Sequence, residues 1–212
     1  LKNEAMSQSQ CKLATDFLVS LTQPKHTLGL QFPGYEVVKY LYQHTDRIEM
    51  VARSSDVRHQ RLCRLRVFFP SANEALKDQG VFRERATATI NAVAKVGDHP
   101  NILKVWHVPN DYGYIVEGSD WSEYGTLREM LQQSNPLDVE RAVGIIRGIL
   151  EGLRAIHAKD VIHRELCPEN ILMVEDIPRL TNFDFSYQLE EDRHTVIPDP
   201  DELKRSPYIA PE

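Results

Sequence analysis

Two short stretches hold the side chains best suited to chemistry, His163-Arg-Glu-Leu-Cys-Pro-Glu-Asn170 and Leu180-Thr-Asn-Phe-Asp-Phe-Ser186. Between them they offer a carboxylate that can serve as a base (Glu165), a thiol (Cys167) and the side-chain oxygens of Asn170, Asn182 and Asp184. Hard divalent cations take such oxygen donors, carboxylates far better than neutral amides. A third set lies in 61–69, where Arg64 and Arg66 share one face of an extended segment, because strand side chains alternate with period two. A guanidinium is permanently charged and can bind phosphate. A lone thiol such as Cys167 is usually inert packing.

These groups sit in a chain of 212 residues, enough for one sizeable core or two lobes. Hydrophobic residues at 42% and charged residues at 26% are ordinary for a globular protein. The formal charge of −6 argues against nucleic acid or an anionic membrane as a bulk partner. Three dispersed cysteines (Cys11, Cys63, Cys167) form no metal-ligand spacing and no disulfide framework, and they fit a reducing, cytoplasmic setting. Apolar runs are broken early by charge, so neither a transmembrane helix nor a signal peptide is expected.

The elements that must position the chemistry follow from periodicity. Residues 1–22 carry Cys11, Ala14, Leu18 and Leu21 at helical spacing, an amphipathic helix that packs on its own domain or docks on another. Strand-like runs follow at 37–42, 48–52 and 61–69, and Pro70 ends the third. A helix over 74–96 carries Phe82, Ala86, Ile90 and Val93 on one face; two strands, 102–108 and 112–117, come next. Beyond Gly118 the chain turns helical, with Thr126 a plausible N-cap for a short helix. The wide apolar stripe of 136–157 (Val139, Val143, Ile146, Leu150, Leu153, widened by Ile145, Ile149 and Ile156) predicts a helix buried on more than one side.

This order of elements, with His99-Pro-Asn-Ile102, Gly125-Thr-Leu127, the stretches at 163–170 and 182–184, and Ser206-Pro-Tyr-Ile-Ala-Pro-Glu212, resembles the protein kinase family over residues 33–212. The resemblance implies an α+β, two-lobed fold. It comprises an N-terminal helical extension and linker (1–32), an N lobe (33–117) and a partial C lobe (118–212), with ATP and magnesium as cofactors. In it Tyr114-Ile-Val-Glu117 enters the hinge, with Val116 as gatekeeper and Glu117 beside the nucleotide. Arg66 stands for the phosphate-holding lysine, with Arg64 above the adenine. Glu165 takes the base position, and Asn170, Asn182 and Asp184 the metal positions, while His163 and Arg164 are architectural.

Phosphoryl transfer depends on metal ions, a cation on the phosphates and an aligned base, and this sequence departs from the pattern at each. The loop between the first two strands, 41–48, contains no glycine. Arginine replaces lysine and is not its equivalent. The regulatory-helix glutamate falls at Thr89 or Ile90, neither able to form an ion pair, while Glu84 is a surface charge. Glu165 for aspartate moves the base by about 1 Å, a displacement that costs roughly 100-fold. Asn182 for aspartate weakens the metal site, and Asp184 for glycine removes backbone freedom.

The expectation is therefore a pseudokinase or strongly impaired kinase acting as a regulatory, protein-interaction module. Its partners would be other proteins or other domains of the same polypeptide, reached through the N-terminal helix, the cleft or 187–205. The alternatives are an active atypical Ser/Thr kinase and a sensor that binds ATP without turnover. Because the family continues past the position of Glu212 into a large C-lobe helix, the chain is also expected to be a fragment of a longer protein, with the C lobe cut after the activation segment.

Overall fold

A computed structural model describes residues 31–43, 47–55, 61–69, 79–111, 113–133, 136–184, 186–188 and 208. The expected helix at 1–22 and most of 187–205 lie outside the described residues.

Five strands build one antiparallel sheet in the order β1-β2-β3-β5-β4: β1 (Tyr35–Gln43), β2 (Arg47–Ser54), β3 (Leu62–Phe68), β4 (Val105–His107) and β5 (Ile115–Asp120). Alternation gives the sheet two unlike faces. Ile48, Met50, Ala52, Cys63, Leu65, Val67 and Val116 turn to one side and join Phe32, Phe69 and Val108 in a buried cluster. Glu49, Arg64, Arg66, Glu117 and Ser119 turn to the other, in register across β2, β3 and β5. Gly118 is glycine for a steric reason: a Cβ there would meet the Trp106 indole Nε1 at 2.3 Å. That indole lies over the strand and donates to the Tyr35 hydroxyl at 2.8 Å.

The helix α1 (Gln79–Val96) packs beside β4 and β5. Among its described side chains Ala86, Thr89, Ala92 and Val93 are buried, whereas Phe82 and Ile90 are only half-buried. The inward stripe is thus rotated from the expected one, and it brings a hydroxyl, Thr89, to the inner face. Glu84 is exposed, as its position on the outer face predicts.

After β5 come α2 (Leu127–Gln133) and α3 (Val139–His157). Thr126 and Glu129 form a reciprocal cap on α2: the Glu129 amide donates to the Thr126 hydroxyl at 3.3 Å, and the Thr126 amide to the Glu129 carboxylate at 2.7 Å. Asp138 caps α3 by accepting from the Arg141 amide at 2.8 Å. Burial of α3 on more than one side is the expectation for a complete C lobe; among the described residues α3 is covered on one side only. Ile145, Gly152 and Ile156 face the core, but Val139, Val143, Ile146 and Leu150 are exposed, Val139 by 80%. Gly148 and Gly152 mark the packed face; a Cβ on Gly152 would meet the Asn101 carbonyl oxygen at 2.8 Å and Leu180 at 3.0 Å.

The remaining chain folds as β6 (Val161–Ile162), a 3-10 turn (Pro168–Asn170), and the hairpin β7 (Ile171–Val174) and β8 (Ile177–Leu180), with β9 (Tyr187–Gln188) pairing β6. A second buried cluster, from Ala92 and Val93 of α1 to Ile156, Met173, Leu180 and Phe183, joins α1 to these elements. This is a mixed α+β, kinase-like arrangement of a sheet with helices below it. No helix among the described residues is long and apolar enough to cross a membrane.

Candidate functional site

The polar face of the sheet is where the site is built. Arg66 is 3% exposed, and a buried guanidinium must be paired. Its neighbour across β5 is Glu117, and the pair is a two-pronged fork: Nε donates to one carboxylate oxygen at 2.9 Å and one terminal nitrogen to the other at 2.8 Å. From the opposite side Asp184 accepts from both terminal nitrogens, at 3.3 and 3.2 Å. The Asn182 amide oxygen accepts at 3.1 Å and the Thr89 hydroxyl at 3.3 Å. A guanidinium has five N–H donors, and these contacts engage all of them.

Thr89 also donates to Asp184 at 2.7 Å, so α1, β3, β5 and the segment after β8 meet at one point. Around it, Arg64 pairs with Glu49 at 2.6 Å, and Arg47 reaches Glu49 at 3.3 Å and Asp184 at 3.9 Å. Burial pushes the Asp184 carboxyl upward, but Arg66, the Thr89 hydroxyl and Arg47 outweigh it and hold the group below its ordinary range. Glu49 is lowered in the same way: burial opposes, and Arg64, Arg66 and Arg47 prevail. Arg66 is disfavoured by burial yet held more firmly protonated than usual by Asp184 and Glu117.

The second half of the site is the loop at 163–170. His163 is buried, its Nε2 lies 2.9 Å from the Thr181 carbonyl oxygen, and its ring centroid is 4.7 Å from that of Phe183. Burial pushes its pKa down, so the ring is a neutral prop. Asn170 donates to the Glu165 carbonyl at 2.8 Å, and its backbone accepts from the Thr181 amide. Asn182, at φ 62, joins the halves: its amide nitrogen donates to the Glu165 carboxylate at 3.0 Å and to the Asn170 side-chain oxygen at 3.2 Å. Arg164 also takes a left-handed backbone, φ 68. Burial raises the Cys167 thiol to about 11, so it stays protonated at neutral pH and is a poor nucleophile.

The sequence-predicted residues therefore divide. Arg64, Arg66, Glu117, Glu165, Asn170, Asn182 and Asp184 do converge, but largely on one another. The oxygens that would face magnesium are turned to protein donors, and Asn182 and Asp184 stand 3.1–3.3 Å from a guanidinium nitrogen. That donor set does not fit a divalent cation, which the nearby positive charge would repel. Val116 is a correction. It pairs with Val67 and packs in the cluster on the far face of the sheet, so it does not border the cleft. The residue of β5 opposite Arg64 on the cleft face is Ser119. The gatekeeper expectation set the strand out of register, because a hinge read directly after Glu117 ignores that β5 runs on to Asp120.

Sequence reasoning reached Thr89 but dismissed it for want of charge; its hydroxyl relays between Arg66 and Asp184 instead. It did not find Glu49, whose signal was its place in the alternating strand Arg47-Ile-Glu-Met, polar and inward among apolar neighbours. A cavity of about 540 Å³ opens beside the cluster, bordered by Tyr42, Glu49, Arg64, Trp121, Leu172 and Met173 among others.

A five-stranded sheet with one inward helix, a loop braced by histidine and asparagine, and a buried cation on the third strand define the protein kinase fold. A family model described as the protein kinase domain matches residues 57–212, and the chain belongs to that family. It is similar to the serine/threonine-protein kinase PknD of Mycobacterium tuberculosis, 32% identical over 168 residues, which are 77% of this chain and 22% of that protein. It is also similar to the phosphorylase b kinase gamma catalytic chain, liver/testis isoform, of Mus musculus, 27% identical over 193 residues, 86% of this chain and 46% of that one. The chain thus spans less than half the length of these curated relatives.

Proposed function

We propose that this kinase-family domain acts as a pseudokinase, a regulatory and protein-interaction module with little or no phosphotransferase activity, working in the cytoplasm with other proteins or other domains of its own polypeptide. The observation that carries the reading is the closure of Arg66. In phosphoryl transfer the third-strand cation holds phosphate; here all its donors are engaged by Glu117, Asp184, Asn182 and Thr89. A nucleotide would have to displace charge-assisted bonds in a buried site, each worth about 1.5–3 kcal/mol. Arg64 and its partner Glu49 add a charged pair on the same face of the cleft.

A second reading, a sensor that binds a nucleotide without turnover, draws support from the cavity beside Trp121 and Leu172. A thermal-shift titration with ATP, with and without magnesium, alongside a labelled phosphate-transfer assay, separates the readings, because a ligand that binds the folded state raises its melting temperature. The module predicts no shift and no transfer. A shift without transfer favours the sensor. A metal-dependent shift with transfer that disappears in Glu165→Ala overturns the proposal in favour of an active atypical Ser/Thr kinase.

A further inference from the structure

Arg64 and Arg66 look like a phosphate site by sequence, and Arg47 joins them in the structure, but the charges around the three balance. Among the described residues they pair with three carboxylates, Glu49, Glu117 and Asp184. Among these six groups a phosphate meets as many carboxylates as guanidiniums, so they offer it no net positive charge. The three carboxylates are not equivalent. Glu49 and Glu117 stand on strands adjoining β3, each in register with Arg66, and belong to the same sheet as the arginines. Asp184 arrives from the other side of the cleft, 118 residues from Arg66 in sequence. It presents two oxygens to the two terminal nitrogens of Arg66, the bidentate geometry in which guanidinium recognises a phosphate. Thr89 on α1 donates a further bond to it.

We propose that Asp184 is a built-in counter-anion: its carboxylate fills the edge of Arg66 that would otherwise accept a phosphate, closing the cleft to anions and tying the segment after Asn182 to β3 and α1. The inference rests on the absence of nucleotide binding proposed above and gives it a cause. It is more than a structural ion pair, because removal of a structural pair only destabilises. Removal of a counter-anion withdraws one negative charge from beside Arg66 and vacates a bidentate edge, which creates an anion site.

The test uses the full chain, inorganic tripolyphosphate without metal, low salt, and calorimetry alongside melting curves. The wild-type chain should give neither saturable heat nor a rise in melting temperature. Asp184→Ala, which removes the charge and empties the edge, should bind saturably and at least about ten-fold more tightly than any binding the wild type gives, as expected for loss of a directly opposing charge. The gain should vanish in the Arg66→Gln/Asp184→Ala double variant. A folded Asp184→Ala chain with no gain overturns the proposal, as does wild-type binding of equal strength. If Asp184→Ala fails to fold alone, recovery of native circular dichroism on adding tripolyphosphate supports the counter-anion role, and continued unfolding with the anion present overturns it. Transfer of phosphate from ATP by the wild-type chain would instead defeat the functional reading, so the two failures are separable.

Discussion

The arginine cluster and the loop at 163–170 lie on either side of Asn182 and are held by different forces. In the cluster, opposite charges are buried together: Arg66 and Glu117 are each 3% exposed. In the loop, the charged Glu165 and Glu169 side chains bind outward to Asn182 and Arg128, while the bracing bonds from His163 to the Thr181 carbonyl and from Asn170 to that of Glu165 are neutral and reach the backbone. Such bonds leave little to rearrange when a chemical group changes. The loop is braced by contacts that do not involve the Glu165 carboxylate or the Cys167 thiol, whereas in the cluster Arg66 and Asp184 answer each other's charge. Family shape and family chemistry are carried by separable sets of contacts.

Several measurements can break or sharpen that contrast. The largest effect should come from Arg66→Ala, which strands Glu117 and Asp184 as buried carboxylates. Removal of one partner from a buried pair costs roughly 3–5 kcal/mol, read as a drop in urea-unfolding free energy. A cost no greater than that of a surface pair would refute the importance given to the cluster. Next, Asp184→Asn should cost roughly 1.5–3 kcal/mol at neutral pH, the range for hydrogen bonds to charged groups, because Glu117 still pairs Arg66. His163→Ala should cost about 1–3 kcal/mol for the bond and burial lost at Thr181, leaving tripolyphosphate binding unchanged. The smallest effect is expected for Arg179→Ala. Its 3.0 Å bridge to Asp120 is partly solvated and worth about 0.5–1 kcal/mol.

Acid titration separates the two regions on one axis. Asp184 and Glu49 have folded pKa values below their unfolded ones, so the stability they give is complete above the ordinary carboxylate pKa of about 4. It is lost as the pH falls through the lower folded values. His163, pushed down by burial, obeys the same sign in another window: its contribution is full above about pH 6.5 and declines as the pH drops below that. Melting temperatures should therefore fall in two stages. His163→Gln should flatten the mildly acidic stage, and Asp184→Asn the strongly acidic one.

Much of the frame was legible because local patterns specify it. The five strands, the helix before His99 and the shared face of Arg64 and Arg66 follow from periodicity and alternation. The partners of Arg66 did not, because Glu117 and Asp184 lie 51 and 118 residues away and only strand register and loop closure bring them in. Period two says which residues share a face; it does not say which residue stands opposite. Val116 failed for that reason. The stripe on α3 was likewise real but ambiguous in direction. Its packed face carries Gly148 and Gly152, yet glycine alone is no guide to it, since a Cβ on Gly144 of the same helix would meet nothing within 4 Å.

The indole lying over Gly118 gives the molecule a way to report on itself. Only two tryptophans occur, Trp106 and Trp121. Trp106 is fixed in the sheet by contact with a residue that has no side chain, while Trp121 lines the cavity beside the cluster. A Trp121→Phe chain would thus emit from the sheet alone, and a Trp106→Phe chain from the mouth of the cleft. Fluorescence from the pair can follow opening of the cleft and melting of the sheet as two separate optical signals.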